Sequence, residues 1–136
     1  MRMTKTQEAY DEGYQEGRKA VFNDSRYSGW KNYETWNVAL WIDNEERSYK
    51  YWQQEAQDAY NHAEPNSTFS REENAVHILR ERLKAHYEYE KADLLDNAGL
   101  SSSMWADLLG SALSGCNWHE IAEHMIDDCD KTTEEE

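Results

Sequence analysis

The 136-residue sequence is short of three things: proline, cysteine and basic side chains. A single proline, Pro65, leaves little to interrupt helix formation elsewhere. Two cysteines, Cys116 and Cys129, cannot frame a disulfide-stapled fold and suit a reducing cytoplasm. No stretch approaches the roughly 20 apolar residues of a membrane span. The opening MRMTKTQEAYDEG lacks the apolar core of a signal peptide. Fourteen Lys and Arg face 28 Asp and Glu, a net charge of −14. Gripping phosphates takes clustered cations that neutralise them and release counterions. None cluster here, so the expectation is no direct nucleic-acid binding and no attraction to an anionic membrane.

Against those shortages stand six Trp and nine Tyr, whereas disordered segments are poor in aromatics. The length suits one domain with a core of few, large side chains. We read residues 1–129 as a single helical domain and 130–136 as an acidic, disordered tail. The charge is uneven. Residues 1–30 carry five basic and five acidic side chains, whereas 101–136 carry one, Lys131, against nine.

Apolar spacing of three and four predicts an all-α, compact bundle of five to six helices. The first, about Thr6 to Phe22, aligns Ala9, Gly13, Gly17 and Ala20 in a stripe suited to close backbone approach. A polar connector, Asn23 to Asn32, follows. Glu34 to Asp43 carries apolar residues all round, which predicts burial on most sides and a central place in the fold. Asn44 offers a cap for the next helix, in which Tyr49, Trp52, Ala56, Ala59, Tyr60 and Ala63 share one face. Ser70 and Glu73 form a capping-box pair for a long helix with Val76, Leu79, Leu83, Tyr87, Glu90 and Leu94 on one side, ended by Gly99. A short helix, Ser103 to Leu113, brings Trp105, Leu108, Leu109, Ala112 and Leu113. The last, from Trp118 to about Asp128, buries Trp118, Ile121, Ala122, Met125 and Ile126 behind a cap-like Asn117–Glu120 pair.

Cys116, His119, His124 and Cys129 have the spacing of a zinc knuckle and are all acceptable ligands. No glycine lies between the cysteines to turn the backbone, and the same residues carry a clean helical stripe, so the expectation is no metal. His119 and His124 are five apart, not the four that put two ligands on one helix face. His119 with Glu123 and Glu120 with His124 are read as surface pairs. Ser101 to Ser103 lack a nucleophile-elbow pattern, and no phosphate loop occurs. No catalytic residue and no cofactor is expected.

The run Asn32-Tyr33-Glu34-Thr35-Trp36-Asn37-Val38-Ala39-Leu40-Trp41-Ile42-Asp43-Asn44 is distinctive. It resembles a family of small helical proteins of phages and plasmids, marked by a Y-E-T-W-x-V-x-L-W-x-x-N core. Trp105 to Leu109 and Asn117 to Ala122 resemble the same family. The resemblance implies a mobile-element origin and a helical fold, and it carries no mechanism.

In composition the chain is similar to DNA-mimic anti-restriction and anti-CRISPR inhibitors. The expectation is a cytoplasmic inhibitor that binds the basic surface of a host nuclease or nucleic-acid-binding effector complex. Asp107, Glu120, Glu123, Asp127, Asp128 and Asp130 are the candidate contacts, with Asp43, Glu45 and Glu46 as a second patch. The alternative is an interaction module acting through an aromatic or apolar patch, including a homodimer formed on the Ala9-Gly13-Gly17 stripe.

Overall fold

A computed structural model describes residues 27–131. The expected helix over Thr6–Phe22, with its small-residue stripe, lies outside the described residues, as do residues 132–136. Among the described residues every regular element is a helix: α1 Tyr33–Asn44, α2 Glu46–His62, α3 Arg71–Asn97, α4 Met104–Ser114 and α5 Trp118–Asp127.

The chain enters through a tight turn. Ser28 and Gly29 have φ of +48° and +89°, and Tyr27 and Trp30 exchange backbone hydrogen bonds of 2.6 and 2.8 Å. Two successive positive φ values demand a residue such as glycine at one of them. Side chains then start each helix. Asn32, Ser103 and Asn117 cap α1, α4 and α5 by accepting the N–H three residues on. Ser70 and Glu73 form the full reciprocal capping box of α3. For α2 the cap is Glu45, not the expected Asn44, whose amide instead donates to the Leu40 carbonyl within α1 at 3.0 Å. Helix α3 ends as Gly99 takes φ +73°, so that Leu100 N–H reaches the Leu95 carbonyl and Gly99 N–H the Asp96 carbonyl.

Helix α3, rather than α1, is the centre of the fold. It packs against both α2 and α5 and also carries α4. Its residues Ala75, Leu79 and Leu83 are fully buried against Trp52, Ala56 and Ala59 of α2 and Ile121, Ala122 and Ile126 of α5. Helix α1 buries Thr35, Trp36, Ala39 and Ile42 but leaves Trp41 58% exposed, so burial on most sides does not hold. Its partners α2 and α5 cover one stripe only.

Two further expectations change. The α3 stripe stays buried only to Leu83; Tyr87 is half-buried, Glu90 and Leu94 are exposed, and Leu95 turns inward instead. Past Tyr87, which still meets Trp52 of α2 and Trp118 of α5, the helix runs beyond their cover. Helix α4 buries none of its residues.

Candidate functional site

The N-terminus of α1 and the loop before α5 meet in a polar knot. Asn117 N–H donates to Thr35 Oγ1 at 2.8 Å, and Thr35 donates to Asn32 Oδ1 at 2.6 Å. The Asn32 amide donates to the Gly115 carbonyl at 2.7 Å. Cys116, buried beside it, also hydrogen-bonds Thr35. Burial pushes its thiol up to about 12, partly offset by that bond and reinforced by Glu34 and Glu120. This end of the molecule is fastened by side chains and backbone together.

The opposite end of α1 and α5 is open. There α1, α2 and the chain after α5 enclose a cleft of about 240 Å³. Its apolar floor is Ile42, Trp52, Ala56 and Met125. Asp43, from the end of α1, and Asp128 and Asp130, from beyond α5, supply its acidic side chains. Tyr49, Gln53, Gln57 and Cys129 complete the lining, which holds no Lys, Arg or His. Gln57 fixes the last part of this wall: its amide donates to the Asp130 carbonyl at 2.9 Å and accepts the Asp130 N–H at 3.0 Å. These two bonds strap Asp130 to α2. The Cys129 thiol is raised by burial, against the lowering effect of Lys131 and with the carboxylates of Asp128 and Asp130 adding to the rise.

Several basic side chains elsewhere are engaged. Arg82 spans Glu55 and Asp58 of α2 at 3.1 and 3.0 Å, and Arg71 donates to the Tyr60 carbonyl while covering the Tyr60 ring. Lys50 pairs with Glu46 and Lys91 with Glu88. Lys131, the one Lys or Arg after residue 100, donates to the Asp127 carbonyl at 3.1 Å.

The structure thus joins three of the nine candidate acids and separates the rest. Asp43 of the second patch stands with Asp128 and Asp130 of the first. Asp127 and Glu123 are exposed on α5, Glu123 pairing with His119 at 3.4 Å. Glu120 turns back instead, its carboxylate accepting Lys31 N–H at 3.0 Å. His124 packs against Trp30, the rings 4.3 Å apart and tilted by 33°, so the expected Glu120–His124 pair gives way to these two contacts. Asp107 lies on α4, Glu45 caps α2, and Glu46 is held by Lys50. His119 leans toward His77 and His124 toward Trp30; among the described residues no three His, Cys, Asp or Glu side chains are grouped to hold a metal ion.

Tyr49, Gln57 and Met125 carried no functional signal in the sequence. Gln57 was detectable only as a polar residue beside the buried stripe of α2, one position after Ala56.

Trp52 separates this cleft from a second cavity of about 420 Å³ on its other side, lined by Tyr51, His86, Tyr87, Glu45 and Glu90 among others. Its indole N–H donates to the Tyr87 hydroxyl at 3.0 Å. Tyr87 in turn stacks on Trp118, the rings 5.8 Å apart and 5° from parallel. Burial raises the Tyr87 hydroxyl, the Trp52 bond lowers it, and Glu90 and Glu45 raise it further.

These features define a small all-helical protein with an acid-lined, apolar-floored cleft. No helix among the described residues is long and apolar enough to cross a membrane. The chain belongs to DUF7249, a family of unknown function that it matches over residues 23–135. No curated protein and no solved structure matches it.

Proposed function

We propose that the protein is an acidic inhibitor of phage or plasmid origin that binds the basic surface of a host nucleic-acid-binding defence enzyme, in the place of DNA. The observation that carries this reading is the cleft, where Asp43, Asp128 and Asp130 converge on an apolar floor. A lysine or arginine from a DNA-binding groove has the matching form, an aliphatic stem that lies on apolar surface and a charged head that seeks carboxylates. Exposed Glu123 and Asp127 extend the negative surface along α5. Two such rows present to a basic groove what a phosphate backbone would, and the attraction is long-ranged, fast and weakened by salt.

The test is capture of partners from host lysate with the wild type and with the Asp43→Lys/Asp128→Lys/Asp130→Lys variant. The wild type should retain a basic nuclease or effector subunit and release it as salt rises. The variant should keep its helical circular dichroism and lose roughly tenfold or more in affinity. Binding that survives both the charge reversal and high salt overturns the proposal.

A further inference from the structure

The cavity on the far side of Trp52 differs in chemistry from the acidic cleft. It encloses about 420 Å³ between the first two turns of α2 and the stretch of α3 around Tyr87. Four of its walls are rings, Tyr51 and Trp52 from α2 and His86 and Tyr87 from α3. Trp52 stands at 84° to Tyr51 and 88° to His86, and Tyr87 at 78° to His86, with centroids 4.7 to 5.2 Å apart. Rings that meet near right angles make the corner of a box, not a stack. Trp52 is its fixed floor, 2% exposed and tied through its indole N–H to the Tyr87 hydroxyl. Tyr51, 45% exposed, is the wall nearest solvent.

The face of an aromatic ring carries negative potential and attracts cations, that of tryptophan most strongly. Charge in the lining has the same sense. Two carboxylates, Glu45 and Glu90, stand against one guanidinium, Arg47, within a chain of net charge −14. An organic cation is therefore favoured over an anion. The volume lies in the range of small-molecule pockets, about 300–1,000 Å³.

The carboxylates also decide which cation fits. Glu45 already accepts the Ser48 N–H at 2.8 Å, and Glu90 stands 3.3 Å from the His86 ring nitrogen. A primary ammonium brings three donors and a tight hydration shell, and would be short of acceptors here. A quaternary ammonium donates no hydrogen bond. Its methyl groups lie on the ring faces, and its charge is felt by the rings and carboxylates without replacing their partners. We propose that this cavity binds a trimethylammonium group, carried by a free choline-like molecule or by a trimethylated lysine side chain. The site is separate from the acidic cleft and does not depend on the function proposed above.

Titration of the full chain with choline, followed by NMR and tryptophan fluorescence, tests this. The control is dimethylbutanol, in which carbon replaces the charged nitrogen. Choline should bind saturably, shift the Trp52 indole and Tyr51 ring signals, and bind about tenfold more tightly than the control. Tyr51→Leu keeps an apolar wall and should bind choline about threefold more weakly, with unchanged helical circular dichroism. Arg47→Gln removes the opposing charge and should tighten binding. A trimethyllysine peptide that binds more tightly than choline identifies a protein ligand, and one that binds no better identifies a small molecule. If Tyr51→Leu does not fold, the control and Arg47→Gln decide the matter. No saturable binding at about 100 mM choline, equal binding of the control, a folded Tyr51→Leu with wild-type affinity, or weaker binding by Arg47→Gln overturns the proposal.

Discussion

Thr35 and Asn117 lie 82 positions apart, and the Asn117 N–H donates to the Thr35 hydroxyl at 2.8 Å. Thr35 is fully buried, so this is the interior bond by which the start of α1 fixes the start of α5. It gives the polar letters of the N-Y-E-T-W run a structural role, with Asn32 and Thr35 forming a latch. Removing one partner leaves a buried N–H without an acceptor, which costs about 1–3 kcal/mol. Thr35→Val keeps the shape and loses the hydroxyl, so urea unfolding should show a loss of about 2 kcal/mol with an unchanged slope. Thr35→Ser keeps the acceptor and should cost less. Equal losses for the two would mean the methyl group, not the bond, matters.

Helix α3 provides a contrast within one element. Leu83 is completely buried between α2 and α5, whereas Tyr89, six residues on, is 71% exposed. Leu83→Ala creates a cavity in a packed core and should cost 2–5 kcal/mol, about the range for buried leucines. Tyr89→Ala should stay within about 0.5 kcal/mol. Chemical denaturation of both variants checks the pair; a large loss for Tyr89→Ala would mean that something covers this part of α3.

That contrast shows how far the sequence was legible. Helix limits, the Ser70–Glu73 capping box and the buried faces of α2 and α5 follow from spacing and local chemistry, which act within a few residues. Which side of a helix finds a partner does not. Trp41 and Leu108 sit at good apolar positions and are exposed, because the neighbouring helices cover another stripe or end too soon. The acidic site was half legible. Asp128 and Asp130 stood out by charge density, and Asp43 by a second cluster, but their convergence needs the packing of α1 against α5. Glu120 shows the reverse case, an acid drawn by local geometry to a backbone N–H.

Gln57 positions part of the cleft without carrying charge. Its two hydrogen bonds to the Asp130 backbone hold the chain beyond α5 against α2. Gln57→Ala should leave the global fold in place, because the bonds are exposed and each is worth only about 0.5–1.5 kcal/mol. Hydrogen exchange at the Asp130 amide should quicken by roughly tenfold, as about 1.4 kcal/mol of local protection is lost. Alkylation of Cys129 should quicken with it. An Asp130 amide as protected as in the wild type would show that other contacts hold this segment.

The Cys116 thiol makes stability depend on alkaline pH. Burial raises it from an ordinary 9.0 to about 12, so the folded protein keeps the proton after the unfolded chain has lost it. Between those two values the native state binds more protons than the unfolded one, and stability falls as pH rises. The contribution is complete below pH 9.0 and is lost progressively toward about 12. Tyr87, also raised by burial, acts in the same direction at higher pH, as do other groups shared by every variant. Cys116→Ala isolates the thiol. At neutral pH the wild type should melt higher, since the alanine leaves a small void beside Thr35. Above pH 9.0 the gap should narrow steadily, because only the wild type carries a thiol that unfolding releases to ionise. In the same range Cys116 should react with thiol reagents more slowly than Cys129, which is only half-buried. Thermal melts of the two proteins across this range measure the gap, and a gap that stays constant with pH would show that the buried thiol does not set it.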